Sequence, residues 1–183
     1  TLRIGAEYYN SGLTQYLNGY VQDFRVYKGL AKYTQNFIPA STDPDILPDT
    51  PSGVSYSSNV ALVPSTDGAV SFDGSGDYFT VPKTNAWPTG TQDATIEFFF
   101  YRNGSGSAVT LFGKDYSGAG LSCFYLTSAN VLYFYDNNIA TTGGNGIGGV
   151  TIAQGKWYHV ALTRSGSSLR LFLDGLLIDT NLS

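Results

Sequence analysis

Two apolar runs, Leu169–Leu173 and Leu176–Asp179, stand on either side of the dipeptide Asp174–Gly175. Asp-Gly between such runs favours a two-residue turn with positive φ, whose twist matches that of paired strands. The same grammar continues upstream. In Trp157–Arg164 the side chains alternate, with Tyr158, Val160 and Leu162 on one face and Trp157, His159 and Ala161 on the other. Ser165–Ser168 then turns the chain into the hairpin. Thr95–Tyr101 carries Phe98, Phe99 and Phe100 in succession and reads as a strand covered on both sides. Leu121–Thr127, Val131–Tyr135, Gly19–Tyr27 and Leu2–Gly5 complete the strand set. The one helical signal is a short turn around Leu30–Tyr33.

Composition agrees with a sheet protein. Aromatic residues reach 15% while charged residues stop at 13%, and 22 glycines supply turns. At 183 residues the chain can enclose one sizeable core. Ten basic against 14 acidic residues leave a net charge of −4, the wrong sign for nucleic acid, whose binders neutralise phosphates. No apolar run approaches the roughly 20 residues that span a bilayer, so no membrane partner is expected. The opening at Thr1, with no signal-like segment, suggests a piece of something longer. Cys123 and His159 are each the sole residue of their kind, which excludes an internal disulfide and a multi-imidazole zinc site. Cys123 reads as a small buried hydrophobe.

Two stretches break the pattern. Pro39, Pro44, Pro48 and Pro51 alternate with Asp43, Asp45 and Asp49, so residues 39–51 read as a semi-rigid linker. Gly143–Gly149 has the glycine density of a phosphate loop, but no lysine follows, and it reads as a surface loop.

Several of these strands together resemble a known family. Ser71–Phe79, Ala94–Phe99, Gly155–Arg164 with its Trp-Tyr-His-Val-Ala run, and Leu171–Gly175 resemble successive strands of laminin-G-like, concanavalin-A-like jelly rolls. Gly19–Tyr27 resembles the closing strand of that family, yet it precedes the opening strand pair at 70–81. The resemblance therefore implies an all-β, two-sheet antiparallel sandwich that is either circularly permuted or cut out of phase from a tandem array. Residues 1–38 would supply the closing strands, and residues 52–183 the opening and central ones. Residues 1–38 are expected to pair with the 169–180 hairpin region, in the same chain or in a neighbour. The segments Asp43–Val54 and Asp67–Gly74 look like inter-repeat sequence of marine-phage virion and tail-fibre proteins, which implies an extracellular or virion location.

The same fold hosts glycosidases, whose chemistry needs two carboxyl groups set across the scissile bond. Laminarinase-type relatives carry two glutamates on one strand, with an aspartate between them. Here Glu7 and Glu97 are the only glutamates, and neither has an acidic neighbour on its strand, so no enzyme is expected. His159 sits mid-strand with no nucleophile motif around it and reads as structural. Calcium is the ion the sequence allows, with Asp73 and Asp77 flanking Gly74–Gly76 and Asp23 joining from the closing strand. The competing reading makes Asp73 and Asp77 turn residues that cap backbone amides. Gln22 stands where the family often has an aspartate, which weakens the metal set. Glycan binding needs aromatic faces together with amide and carboxylate partners. The candidates are Lys114, Asp115 and Tyr116 in one loop, Tyr135, Asp136, Asn137 and Asn138 in another, and Trp87 in a third. Trp157 reads as core. The expected function is a carbohydrate-binding adhesion repeat that meets a cell-surface glycan of a host. The alternative is a spacer or assembly repeat whose partners are neighbouring copies, joined by strand complementation. A glycoside hydrolase comes last.

Overall fold

The computed structural model describes residues 2–9, 12–39, 69–81, 92–104, 106–114, 122–136 and 146–182. Among the described residues there are fourteen strands and no helix. In chain order they are β1 (Leu2–Ile4), β2 (Glu7–Tyr9), β3 (Gly12–Thr14), β4 (Asn18–Lys28), β5 (Val70–Asp73), β6 (Phe79–Val81), β7 (Ala94–Arg102), β8 (Val109–Lys114), β9 (Ser122–Leu126), β10 (Val131–Asp136), β11 (Ile147–Thr151), β12 (Trp157–Ser165), β13 (Ser168–Leu173) and β14 (Leu176–Leu182). The first sheet runs β11-β10-β9-β8-β1-β6 and the second β14-β13-β12-β7-β4-β5, every pair antiparallel. Their inner faces close on one core, as expected for a jelly-roll sandwich. Phe98, Phe100, Val160 and Leu171 come from the second sheet, and Leu111, Phe124, Leu126 and Leu132 from the first.

The hairpin at Asp174–Gly175 forms as the sequence predicts, with φ of 49° and 78° at its two turn residues. Gly175 is required twice over, because a Cβ there would also meet the Phe37 carbonyl oxygen at 1.8 Å. β7 is covered on both sides: Ile96, Phe98 and Phe100 face the core, while Thr95 and Glu97 are buried on the outer face.

Several expectations need correction. The first is the pairing of the N-terminal strands. β1 lies between β8 and β6, and β4 between β7 and β5, all in one chain. Neither strand joins the 169–180 hairpin; only the segment after β4 reaches it, through Phe37 N–H to the Gly175 carbonyl (2.9 Å) and Leu177 N–H to Asn36 Oδ1 (2.8 Å). The opening strands β5 and β6 do not pair with each other but take the same-side edges of different sheets. The Leu30–Tyr33 segment is not helical. The glycine run does not end as a loop: Ile147–Thr151 is β11, paired to β10. Its glycines serve close backbone approach, since a Cβ on Gly146 would sit 2.1 Å from the Phe134 carbonyl oxygen. Trp157 is not core. It is 37% exposed on the outer face, and its neighbour Tyr158 fills the interior instead.

β4 reaches the core despite a bulge between Gln22 and Arg25. Asp23 occupies the bulge at φ 54°, and this turns Phe24 inward to stack on Phe98 (5.4 Å, 25°) and meet Phe112 (5.2 Å). Phe24→Asp places a charge between those rings, so a cooperative thermal melt should be lost or lowered by an amount equivalent to at least ~3 kcal/mol.

Candidate functional site

The register of the first sheet brings the described ends of the two sequence-predicted loop clusters, Lys114 and Tyr135–Asp136, to one rim. Lys114 of β8 pairs with Ser122 of β9, and Ser122 with Asp136 of β10, so the three stand in a row across adjacent strands. Ser122 Oγ donates to Asp136 Oδ2 at 2.5 Å. The next rows inward put Tyr135 opposite Cys123 and Tyr133 opposite Tyr125. Strand alternation sends Phe124 and Phe134 into the core and leaves Tyr125, Tyr133 and Tyr135 half-buried on the outer face. The Tyr125 and Tyr133 rings stack at 5.6 Å and 21°. Burial, with the nearby Glu7 carboxylate, pushes the Tyr125 phenol up to about 12, so it stays a neutral hydrogen-bonding group. Gly149 of β11 lies beside Tyr133, where even an added Cβ would come no closer than 3.7 Å to the ring's hydroxyl. Trp87, Asp115, Tyr116, Asn137 and Asn138 lie outside the described residues. Tyr125 and Tyr133 were missed in the sequence, although the alternating Phe-Tyr and Tyr-Phe-Tyr runs of β9 and β10 carry them.

Cys123 is buried and its thiol is pushed well upward by desolvation, as an inert packing residue requires.

The aspartates proposed for calcium are not gathered. Asp73 Oδ1 accepts the Ser75 N–H (2.6 Å) and Asp77 Oδ2 accepts the Asp73 N–H (3.2 Å), so both serve the Gly74–Gly76 turn. Asp73 pairs with Asn18 of β4, whereas Asp23 lies five residues further along, about 16 Å away at strand rise. There its Oδ1 meets Arg25 Nε at 2.7 Å. Among the described residues no three potential ligands from His, Cys, Asp and Glu come together. The set as placed does not fit an ion that wants six to eight oxygens.

The two glutamates lie in different places. Glu7 packs against the first sheet, accepts the Thr110 hydroxyl at 3.1 Å, and is raised by burial more than that bond lowers it. Glu97 lies on the outer face of the second sheet beneath residues 30–39, which cross that face as an irregular strap. The Thr95 hydroxyl donates to the Leu30 carbonyl (3.0 Å) and accepts the Lys32 N–H (2.8 Å), and the Thr163 hydroxyl donates to the Tyr33 carbonyl (2.7 Å). Lys32 Nζ and the Tyr33 hydroxyl each donate to Glu97 at 2.7 Å, and His159 Nε2 lies 3.4 Å away. Phe37 stacks on Tyr33 and packs edge-on to Phe172 and His159. Burial disfavours the Glu97 charge, but the bonds from His159, Lys32 and Tyr33 outweigh it and hold the carboxyl down at about 2.

Glu97 thus titrates lower in the folded chain than its ordinary 4.5. Its contribution is complete above pH 4.5, fades as pH falls toward 2, and amounts to about 3 kcal/mol. Glu97→Gln should cost a similar ~3 kcal/mol at pH 7 and flatten the acid limb, read from urea melts at pH 7 and pH 3.

The family described as the concanavalin A-like lectin/glucanases superfamily matches residues 73–182, from the end of β5 through β14. No curated protein and no solved structure matches the chain. The match takes in more than half of the chain and the strands that frame both sheets. The chain belongs to the laminin-G-type, concanavalin A-like lectin/glucanase superfamily.

Proposed function

We propose that the chain is a non-enzymatic carbohydrate-binding adhesion module, a repeat of a large extracellular or virion protein that meets a cell-surface glycan. The observation that carries this reading is the convergence at the first sheet's rim. The described ends of the two clusters, Lys114 of β8 and Asp136 of β10, flank Ser122 of β9 in one cross-strand row, next to the row of Tyr135 and near the half-buried rings of Tyr125 and Tyr133. Aromatic rings meet the CH faces of sugars, and rim carboxylates and hydroxyls meet their OH groups.

Binding without catalysis is supported by the state of the glutamates. Glu97 is buried, held ionised and covered by the strap, which suits neither a general acid nor an accessible nucleophile. Glu7 packs on the other sheet, so the two carboxyl groups do not flank a shared bond. The alternative, a spacer that polymerises by strand complementation, loses support because β1 and β4 already fill their places within their own chain.

The test is a glycan array with the purified chain, run with calcium and again with chelator, beside Tyr133→Ala and Tyr135→Ala. Binding to a defined glycan, weakened about tenfold or more by either variant, is expected. Signal lost on chelation supports calcium as part of the site. Absence of binding in both conditions moves the reading to the structural repeat.

A further inference from the structure

β2 and β3 form a two-stranded sheet of their own, apart from both six-stranded sheets. A lone two-stranded hairpin is marginal in water, so this one depends on what it rests upon. It rests on β8. Backbone bonds from Gly5 N–H to the Leu111 carbonyl (3.0 Å) and from Thr110 N–H to the Gln15 carbonyl (2.8 Å) hold its two ends. Between those ends, the described side-chain bond to the sheet runs from the Thr110 hydroxyl to Glu7 Oε2 (3.1 Å). Glu7 is 6% exposed and Thr110 is fully buried. Thr110 is the cross-strand partner of Tyr125, which pairs in turn with Tyr133. Glu7 therefore stands at the β8 end of the tyrosine row.

A carboxylate in this seat is poorly served. The Thr110 hydroxyl also lies 3.1 Å from Gln15 Oε1, so two acceptor oxygens share its one proton. Among the described residues no lysine or arginine pairs with Glu7. β8 meets it with the uncharged Thr110, and the chain after β3 with the uncharged Gln15. The titratable groups that feel its charge are Cys123 and Tyr125 of β9, both held neutral, and Asp136 of β10 adds a second negative charge acting on Cys123. Glu97, by contrast, receives donors from Lys32 and Tyr33. A proton on Glu7 ends the shortage. The carboxyl then donates to the Thr110 oxygen, and the hydroxyl turns its own proton to Gln15. Burial, the largest influence on Glu7, likewise raises it above its ordinary 4.5.

We propose that the β2–β3 hairpin is a proton-operated wall of the tyrosine row, seated on β8 when Glu7 is protonated and loosened when Glu7 ionises. Seating is complete below pH 4.5 and weakens as pH rises through the higher value of the seated carboxyl. Each pH unit by which that carboxyl titrates above 4.5 is an about tenfold gain in seating between the two limits. A glycan lying against Tyr125 meets a complete wall in mild acid and a loosened one at neutral pH, so its affinity falls as pH rises. This last step rests on the carbohydrate reading of the row, whereas the movement of the hairpin does not.

The chain has two glutamates, Glu7 and Glu97, so carboxyl-labelled glutamate gives two carbon signals to follow by NMR from about pH 3 to about pH 8. Glu97 is held at about 2 and stays ionised over that range, so the signal that moves belongs to Glu7. It should titrate above 4.5. Protection of the β2 and β3 amides, corrected for intrinsic exchange, should fall along the same curve, about tenfold for each pH unit of the rise. Glu7→Gln supplies the missing donor without the charge. It should keep the hairpin equally protected at about pH 5 and about pH 8, and make glycan binding on the array independent of pH. A Glu7 signal titrating at 4.5 or below would overturn the proposal, and that measurement needs no variant to fold. Protection that ignores the Glu7 curve, or a fall that persists in Glu7→Gln, would overturn it as well. Glycan binding equal at both pH values, while protection changes, would overturn the role of the wall at the row. No glycan binding at all, with titration and protection as expected, would overturn the carbohydrate reading and leave the proton-operated hairpin standing.

Discussion

Everything in this sandwich hangs on β4. Its eleven residues lie between β5 and β7 and supply the ladder partner without which β7 would be an open edge. β1 does the same for β8 in the facing sheet. The family match at 73–182 leaves both strands outside it, yet both are interior to the sheets they join. Loss of residues 2–28 would expose the ladder edges of β7 and β8 and the apolar surfaces of Phe98 and Phe112, which Phe24 covers. The non-local order of the strands is thus a condition of the fold and not an ornament on it.

The strap follows from the same arrangement. The chain leaving β4 crosses the outer face of its own sheet, where Thr95, Glu97, His159 and Thr163 stand as buried polar groups. A carboxylate there is tolerable only with partners, and Lys32 and Tyr33 deliver two donors as the strap passes. His159 completes the enclosure, packed between Phe99 and Phe37. One buried charge therefore decides which half of the outer face is closed and which half, around Trp157, stays open to solvent.

Local chemistry was readable wherever the determinant was local. The Asp174–Gly175 turn, the alternation of Trp157–Arg164 and the doubly covered Phe98–Phe100 run all needed only neighbours within a few residues. The misreadings share a different cause. Gly146 looks like loop sequence until the Phe134 carbonyl is seen 2.1 Å from where its Cβ would be. Leu30–Tyr33 looks like a short helical turn until Glu97, 65 positions from Lys32, is brought beneath it. Each face of the Trp157–Arg164 strand opens on a large aromatic ring, Trp157 or Tyr158, so the rings alone could not say which face was the core. Of the candidate glycan site, Tyr135, Asp136 and Lys114 were legible as loop-flanking polar and aromatic residues, whereas Tyr125 and Tyr133 emerged only with the register.

By itself the sequence determined the fold class, the hairpin, the strongly patterned strands (though not β2, β3, β8 or β11) and the lack of paired glutamates, because side-chain period, turn propensity and composition act over short range. Tertiary structure alone decided that β1 and β4 complete the sheets of their own chain, that Asp23 is a bulge residue far from Asp73, and that Trp157 faces outward. Those outcomes depend on register across strands distant in sequence. Register is set by the summed burial of a whole face and not by any residue's own preference.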